Sequence, residues 1–182
     1  MTATLQYKDY TVGWICALPA ELSAARAMLD EIHENLSQPP TDHNAYTLGR
    51  IGRHNVVLAG LPLGGTGTNS AAIVADQMRH LFTDIRFGLM VGIGGGAPSS
   101  DCDLRLGDVV VSKPGLNDGG VVQYDFGKTL PGEFQRTHTL NKPPTVLLTA
   151  LTKMMSEHDH SGKKQNHSIP RGNQQNEESI EI

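Results

Sequence analysis

Aromatic residues make up only 5% of the 182 positions, charged residues 19%, and cysteine occurs twice. Each scarcity excludes something. Cys16 and Cys102 lie far apart with no CxxC spacing, and Cys16 stands in an apolar run, so two reduced thiols are expected instead of a disulfide framework or a thiolate metal site. Lys and Arg number 15 against 19 acidic residues, for a net charge of -4 and a pI near 6.0. The basic residues are scattered, whereas a nucleic-acid groove needs them clustered on one face. No run approaches the roughly 18 consecutive apolar residues of a membrane span, and MTATLQYKDY is not a basic segment leading into an apolar one. A soluble, cytoplasmic protein with no nucleic-acid or membrane partner is expected.

What the chain does have is glycine, at 20 positions, with ten prolines and a 38% hydrophobic fraction. The glycines show no collagen period, and the apolar fraction is too high for global disorder. A domain of about 150 residues buries roughly 68–70% of the surface its unfolded chain exposes, enough for a core without disulfide or metal.

The run from Tyr10 to Leu18 reads as a buried strand, and Pro19 suits the first turn of a helix carried on by Leu22, Ala25, Met28, Leu29 and Ile32. Residues 37–44 are loop by composition, and Tyr46–Ile51 and Asn55–Leu61 flank Gly52-Arg53-His54 as a hairpin. The segment Gly64-Gly-Thr-Gly-Thr-Asn-Ser70 opens a second helix with Ala72, Val74, Ala75, Met78 and Leu81 on its apolar face. A strand over Ile85–Val91, the cluster Gly92-Ile-Gly-Gly-Gly96, and further strands at Leu106–Val111 and Val121–Phe126 follow, then Val146–Met155 as the beginning of a third helix. This alternation predicts an α/β layered domain over 7–155. Residues 156–182 read as a polar disordered tail: from Ser161 onward only Ile169, Ile180 and Ile182 are aliphatic and hydrophobic, too little apolar area to offset about 1–2 kcal/mol of backbone entropy per residue.

Several motifs bear on chemistry. Glu21 falls just past the C-terminal end of the first strand, where α/β sheets place ligands, and a carboxylate there can activate water; from position alone the plainer reading is an ordinary acidic residue in a first helical turn, favoured by the macrodipole. The Gly64–Ser70 loop, including Gly67 and Ser70, can offer backbone N–H groups and hydroxyls to an anion or polar ligand, or can be a simple turn. It lacks the Gly-Lys-Ser/Thr of a Walker loop. Gly92-Ile-Gly-Gly-Gly-Ala97 satisfies GxGxxG/A, yet Pro98 follows where a dinucleotide fingerprint must open a helix. What such a cluster requires is close approach of backbone to a ligand ring or to a packed strand. Eight histidines show no metal-ligand spacing in the folded part, Asp108 and Asp125 read as a turn capper and a strand-edge carboxylate, and no GxSxG elbow occurs. Neither a cofactor nor a metal is expected.

Taken in order, YTVGWICALPAELSAARAMLDE, DHNAYTLGRIGRHNVVLAGLP, GTGTNSAA, RFGLMVGIGGGAP, LRLGDVVVSKP and GGVVQYDFGKTLPG resemble the nucleoside phosphorylase and nucleosidase superfamily. The resemblance is to the phosphorylase-like domains at the N-termini of fungal NOD-like receptor and ankyrin-repeat proteins, and it covers about residues 7 to 152. It implies a three-layer sandwich with a mixed central sheet and cleavage of a purine N-glycosidic bond, with a purine nucleoside or nucleotide, and in some members phosphate, as partner. By position it makes Glu21 the glutamate that holds and activates the attacking water. It places Gly67 and Ser70 in the loop that approaches water or phosphate, and Val91, Gly92, Ile93 and Gly94 along the ribose and base. Tyr124 and Phe126 match a segment at the subunit interface of dimeric nucleosidases, so a homo-oligomer is implied.

The resemblance also implies a Met-Glu pair for the ribose hydroxyls and a late Asp that protonates the leaving base, and the chain has neither; Met155-Ser-Glu157 does not match in spacing or context. The expectation is an N-terminal part of the domain, its C-terminal part missing, that turns over little or nothing. The alternative is a non-catalytic module for nucleoside sensing or self-association in a signalling protein.

Overall fold

The computed structural model describes residues 5–97 and 104–165; Cys102 and the tail beyond Gln165 lie outside them. The chain divides into two compact units, Met1–Leu106 and Gly107–Ile182.

Unit 1 is a five-stranded sheet between two helices. A single 3-10 turn, Tyr7–Asp9, leads into β1, Val12–Cys16, all five residues of which are buried. A strand covered on both faces needs a continuous apolar run, which Val-Gly-Trp-Ile-Cys supplies. Helix α1, Pro19–Ala27, begins with its proline where the missing N–H costs nothing. It stops earlier than the helical spacing predicts: Met28 caps it, and Glu31–Ile32 forms β2. The sheet captures this segment. The Asp30 N–H donates to the Arg50 carbonyl at 2.8 Å, the His33 N–H donates to the Leu48 carbonyl at 2.8 Å, and Glu31 pairs with Arg50 at 3.2 Å.

The expected hairpin forms from β3, Tyr46–Ile51, and β4, His54–Gly60, in antiparallel register with Ile51 opposite His54. Helix α2, Gly67–Leu81, and β5, Phe87–Met90, follow. Strand order is β2-β3-β4-β1-β5, with β1 parallel to both β4 and β5, so the sheet is mixed. Alternation along β1 and β4 assigns the two faces. Val12, Trp14, Cys16, Val56 and Leu58 pack with Ala25 of α1, while Ile15, Val57 and Ala59 pack with Val74 and Met78 of α2. This makes the three layers of an α/β sandwich.

The connections set the position of the site. From β1 the chain passes over one face toward β4, and from β4 it returns over the other face, beyond β1, to β5. Connections that diverge in this way leave a crevice outside the carboxyl ends of the parallel strands. The β1–α1 turn, the β4–α2 loop and the glycine segment after β5 all emerge on that edge.

Unit 2 contains the antiparallel hairpin β6, Gly127–Leu130, and β7, Glu133–Arg136, and helix α3, Thr145–Gln165. Two strand expectations fail here. Leu106–Val111 and Val121–Phe126 form no strand, and their valines are exposed. A β-branched run becomes a strand only where another strand accepts its ladder, and none does so among the described residues. The hairpin that does form turns at Pro131-Gly132, with φ of 85° at Gly132, the positive value a type II turn needs at its third position. That Pro-Gly pair was a readable signal. Helix α3 starts where predicted but continues to Gln165, into the segment assigned to a tail from 156. Once nucleated, a helix gains one hydrogen bond for each residue it fixes, and the Lys153–Glu157 pair at 3.7 Å supports this extension. Among the described residues, every buried apolar side chain belongs to unit 1.

No helix among the described residues is long and apolar enough to cross a membrane.

Candidate functional site

The N-cap of α1 is Leu18, whose side chain has no oxygen to offer the free N–H groups of the first turn. Glu21, the third helical residue, instead turns back to the backbone that precedes the helix. Its Oε2 accepts from the N–H of Ala17 at 2.8 Å and of Leu18 at 2.9 Å. Its Oε1 reaches across the crevice and accepts from the N–H of Ile93 at 2.8 Å, closing a bond over 72 positions of sequence. The residue is 9% exposed, the single buried charged residue of the described chain.

Three N–H donors define its electrostatics. The Ile93 N–H, then the Leu18 N–H, pull the Glu21 carboxyl below its ordinary value; burial opposes them and the Ala17 N–H adds to them. Hydrogen bonds to the charged form favour it. A carboxylate has about four lone-pair directions, so three donors leave one for a further donor such as a water molecule. The arrangement is an ionised carboxylate, oriented by backbone, with one acceptor position to spare.

Gly92 makes this geometry possible. A Cβ at residue 92 would stand 2.7 Å from Glu21 Oε1, so a larger residue would displace the carboxylate. Here the requirement for glycine is a close approach between a carboxylate side chain and the backbone, neither the ligand ring nor the packed strand that the sequence left open. The structure therefore joins Glu21, Gly92 and Ile93. The Val91 N–H donates to the Ile15 carbonyl at 3.1 Å, prolonging the β1–β5 ladder, and the side chains of Val91 and Ile93 are exposed. Gly94 is exposed with open space around it.

Gly67 and Ser70 lie in the first turn of α2, on the same sheet edge by topology, but the hydrogen bonds of Glu21 go elsewhere. Tyr124 and Phe126 belong to unit 2, where both are exposed and Phe126 meets His138 edge-on at 5.7 Å. Sequence reasoning missed the backbone donors of Ala17 and Leu18. The signal was present: an N-cap without a polar side chain, followed three residues later by an acid. Behind the turn, burial first and the nearby Glu21 charge second raise the Cys16 thiol above its ordinary value, against a lowering contact with Trp14. No group of three or more His, Cys, Asp and Glu that could hold a metal occurs among the described residues.

A depressed carboxyl couples the turn to pH. Because the folded value lies below the unfolded one, the stabilisation by Glu21 is complete above the ordinary glutamate value of 4.5 and is lost as pH falls through the folded value. Unfolding of the wild type and of Glu21→Gln followed from pH 6 down to 2 should show a steeper acid loss in the wild type. Parallel curves would mean that Glu21 is not held as described.

Fold and site together define an α/β domain with a backbone-held carboxylate at the carboxyl edge of its parallel strands. No family model matches the chain. It is 57% identical to a nucleotide-binding leucine-rich repeat (NLR)-like protein of Hyaloscypha variabilis over 152 residues, 83% of this chain and 15% of that protein. It is 34% identical, over 119 residues, to the 5'-methylthioadenosine/S-adenosylhomocysteine nucleosidases of Mycobacterium bovis and Mycobacterium tuberculosis, covering 64% of this chain and 39% of each. These similarities support a nucleoside phosphorylase/nucleosidase-like superfamily. The chain spans well under half the length of each of these relatives.

Proposed function

We propose that unit 1 is the water-holding half of a purine N-glycoside-cleaving site, binding a purine nucleoside or nucleotide at the edge where Glu21 meets Gly92 and Ile93. The observation that carries this reading is the single spare acceptor position on an ionised, nearly buried carboxylate. Such a group orients one water and takes its proton as the sugar carbon is attacked. It also disfavours a phosphate nucleophile, since two anions repel, which supports hydrolysis over phosphorolysis. The role of Gly67 and Ser70 in this reading is to offer the start of α2 to the ribose or to the water. No cofactor enters it.

Cleavage also needs an acid at the leaving base and a grip on the ribose, and in the 182-residue chain no Met-Glu pair or late Asp supplies them. On this reading residues 1–182 by themselves turn over little or nothing, and self-association is their second property. Among its described residues unit 2 buries no large apolar side chain, and Tyr124, Phe126 and the valines of 109–111 and 121–122 are exposed. Apolar surface of that kind associates. The similarity to a short stretch of an NLR-like protein favours a second reading, a nucleoside-sensing or self-associating module of a larger signalling chain.

The test is a base-release assay on purified residues 1–182 with adenosine, inosine and their 5'-phosphates, with and without phosphate, beside light scattering on the same sample. No release at the rates usual for enzymes, about 1 s⁻¹ or faster, and dimers or larger species are expected. Free base at such rates overturns the half-site reading, and a monodisperse monomer overturns self-association.

A further inference from the structure

We propose that a second cleft of unit 1, on the α2 face of the sheet, binds a neutral, flat heteroaromatic ring that carries an amino group, an aminopurine-type base. The cleft measures about 390 Å³, in the range of small-molecule sites. It lies between the 3-10 turn, the segment leading into β3 and the C-terminal end of α2, and no residue that hydrogen-bonds Glu21 lines it. Three rings, Tyr7, Tyr46 and Phe82, contribute to its walls, and no charged side chain does.

Its polar side-chain functions are three primary amides and the hydroxyls of Tyr7, which meets Ser37 Oγ at 3.4 Å, and Tyr46, which donates to Asp42 Oδ2 at 2.9 Å. Gln38 donates both N–H groups, to the carbonyls of Asp42 at 2.9 Å and Asn44 at 2.8 Å. Asn44 likewise spends both of its own, on the Tyr46 hydroxyl at 2.8 Å and the Val74 carbonyl at 3.0 Å. With the donors committed, the free function of each residue is its amide oxygen, an acceptor in an orientation fixed by the other bonds. Asn35, exposed at the rim, adds an amide with no such commitment. Fixed acceptors beside aromatic walls match a ring edge bearing N–H donors. To a phosphate or carboxylate Gln38 and Asn44 would offer only carbonyl oxygens, and no lining residue is a cation to offset them. The inference is independent of the role proposed for Glu21.

The experiment is a methyl-resolved NMR titration of the whole chain with adenine and with 6-methylpurine, which replaces the amino group by a methyl of similar size. Adenine is expected to shift the methyls of Leu36, Leu48 and Leu81, all of which line the cleft, in a saturable manner. The 6-methylpurine should bind about tenfold more weakly, the cost of leaving an acceptor unpaired. Glu21→Gln should leave the adenine shifts intact, whereas Ala45→Trp, which sets an indole into the cleft from an exposed position, should remove them. The proposal is overturned if those leucines do not move, if the two ligands bind alike, or if the shifts fall on Leu18, Val91 and Ile93 instead. The ligand comparison needs no variant, so misfolding of Ala45→Trp would not shelter the idea.

Discussion

Glu21→Gln is expected, on the proposed reading, to lower base release about 10²–10⁴-fold in a chain extended with the C-terminal portion of a mycobacterial nucleosidase. The substitution keeps the length of the side chain but removes its basicity. It also rearranges the hydrogen bonds in a definite way. The amide oxygen can still accept from Ala17 and Leu18, but the amide nitrogen then faces the Ile93 N–H, donor against donor, where Oε1 now accepts at 2.8 Å. Hydrogen exchange at the Ile93 amide should accelerate in the variant, while the β1–β4 ladder stays protected. Full activity in Glu21→Gln would reduce Glu21 to a cap for the first turn of α1. Lost activity with an unchanged Ile93 amide would separate the chemical role of the carboxylate from its role as a clasp.

The largest loss of stability should come from Phe82→Ala, at about 3–5 kcal/mol. Phe82 caps α2 with its N–H on the Met78 carbonyl at 2.9 Å and is 1% exposed. Three rings meet it edge-on: Tyr7 and Tyr10 at 5.6 Å and Tyr46 at 5.2 Å between centroids. Such pairs contribute about 0.5–1.5 kcal/mol each beyond area burial. Alanine would open a cavity that three rigid rings cannot collapse to fill. Against the 5–15 kcal/mol typical of a domain, that is a large share. Phe126→Ala, at an exposed ring, should stay within about 0.5 kcal/mol. Urea unfolding of both variants decides the matter, and a Phe82→Ala loss below 1 kcal/mol would mean that the aromatic cluster does not hold α2 to the sheet.

Much of unit 1 was legible because its signals are local. Pro19 starts α1, the glycine and threonine segment before Asn69 starts α2, and Gly52-Arg53 turns β3 into β4. Each depends on backbone preferences of a few neighbouring residues, which the sequence states directly. Where the reading failed, the missing information was a partner. Ile32 has the spacing of a helix residue, yet the edge of β3 takes it as strand; Val109-Val110-Val111 has strand composition, yet finds no ladder.

The candidate site divides along the same line. By itself the sequence determined that an acid follows the first strand, that a glycine cluster follows β5, and that both resemble one superfamily. It stated neither that the carboxylate of Glu21 bonds the Ile93 N–H, nor that Gly92 is bare so that Oε1 can come close. Only the tertiary structure decided these, because the order β4-β1-β5 brings the ends of β1 and β5 side by side, and a contact across 72 positions follows from strand order and register rather than from any local preference.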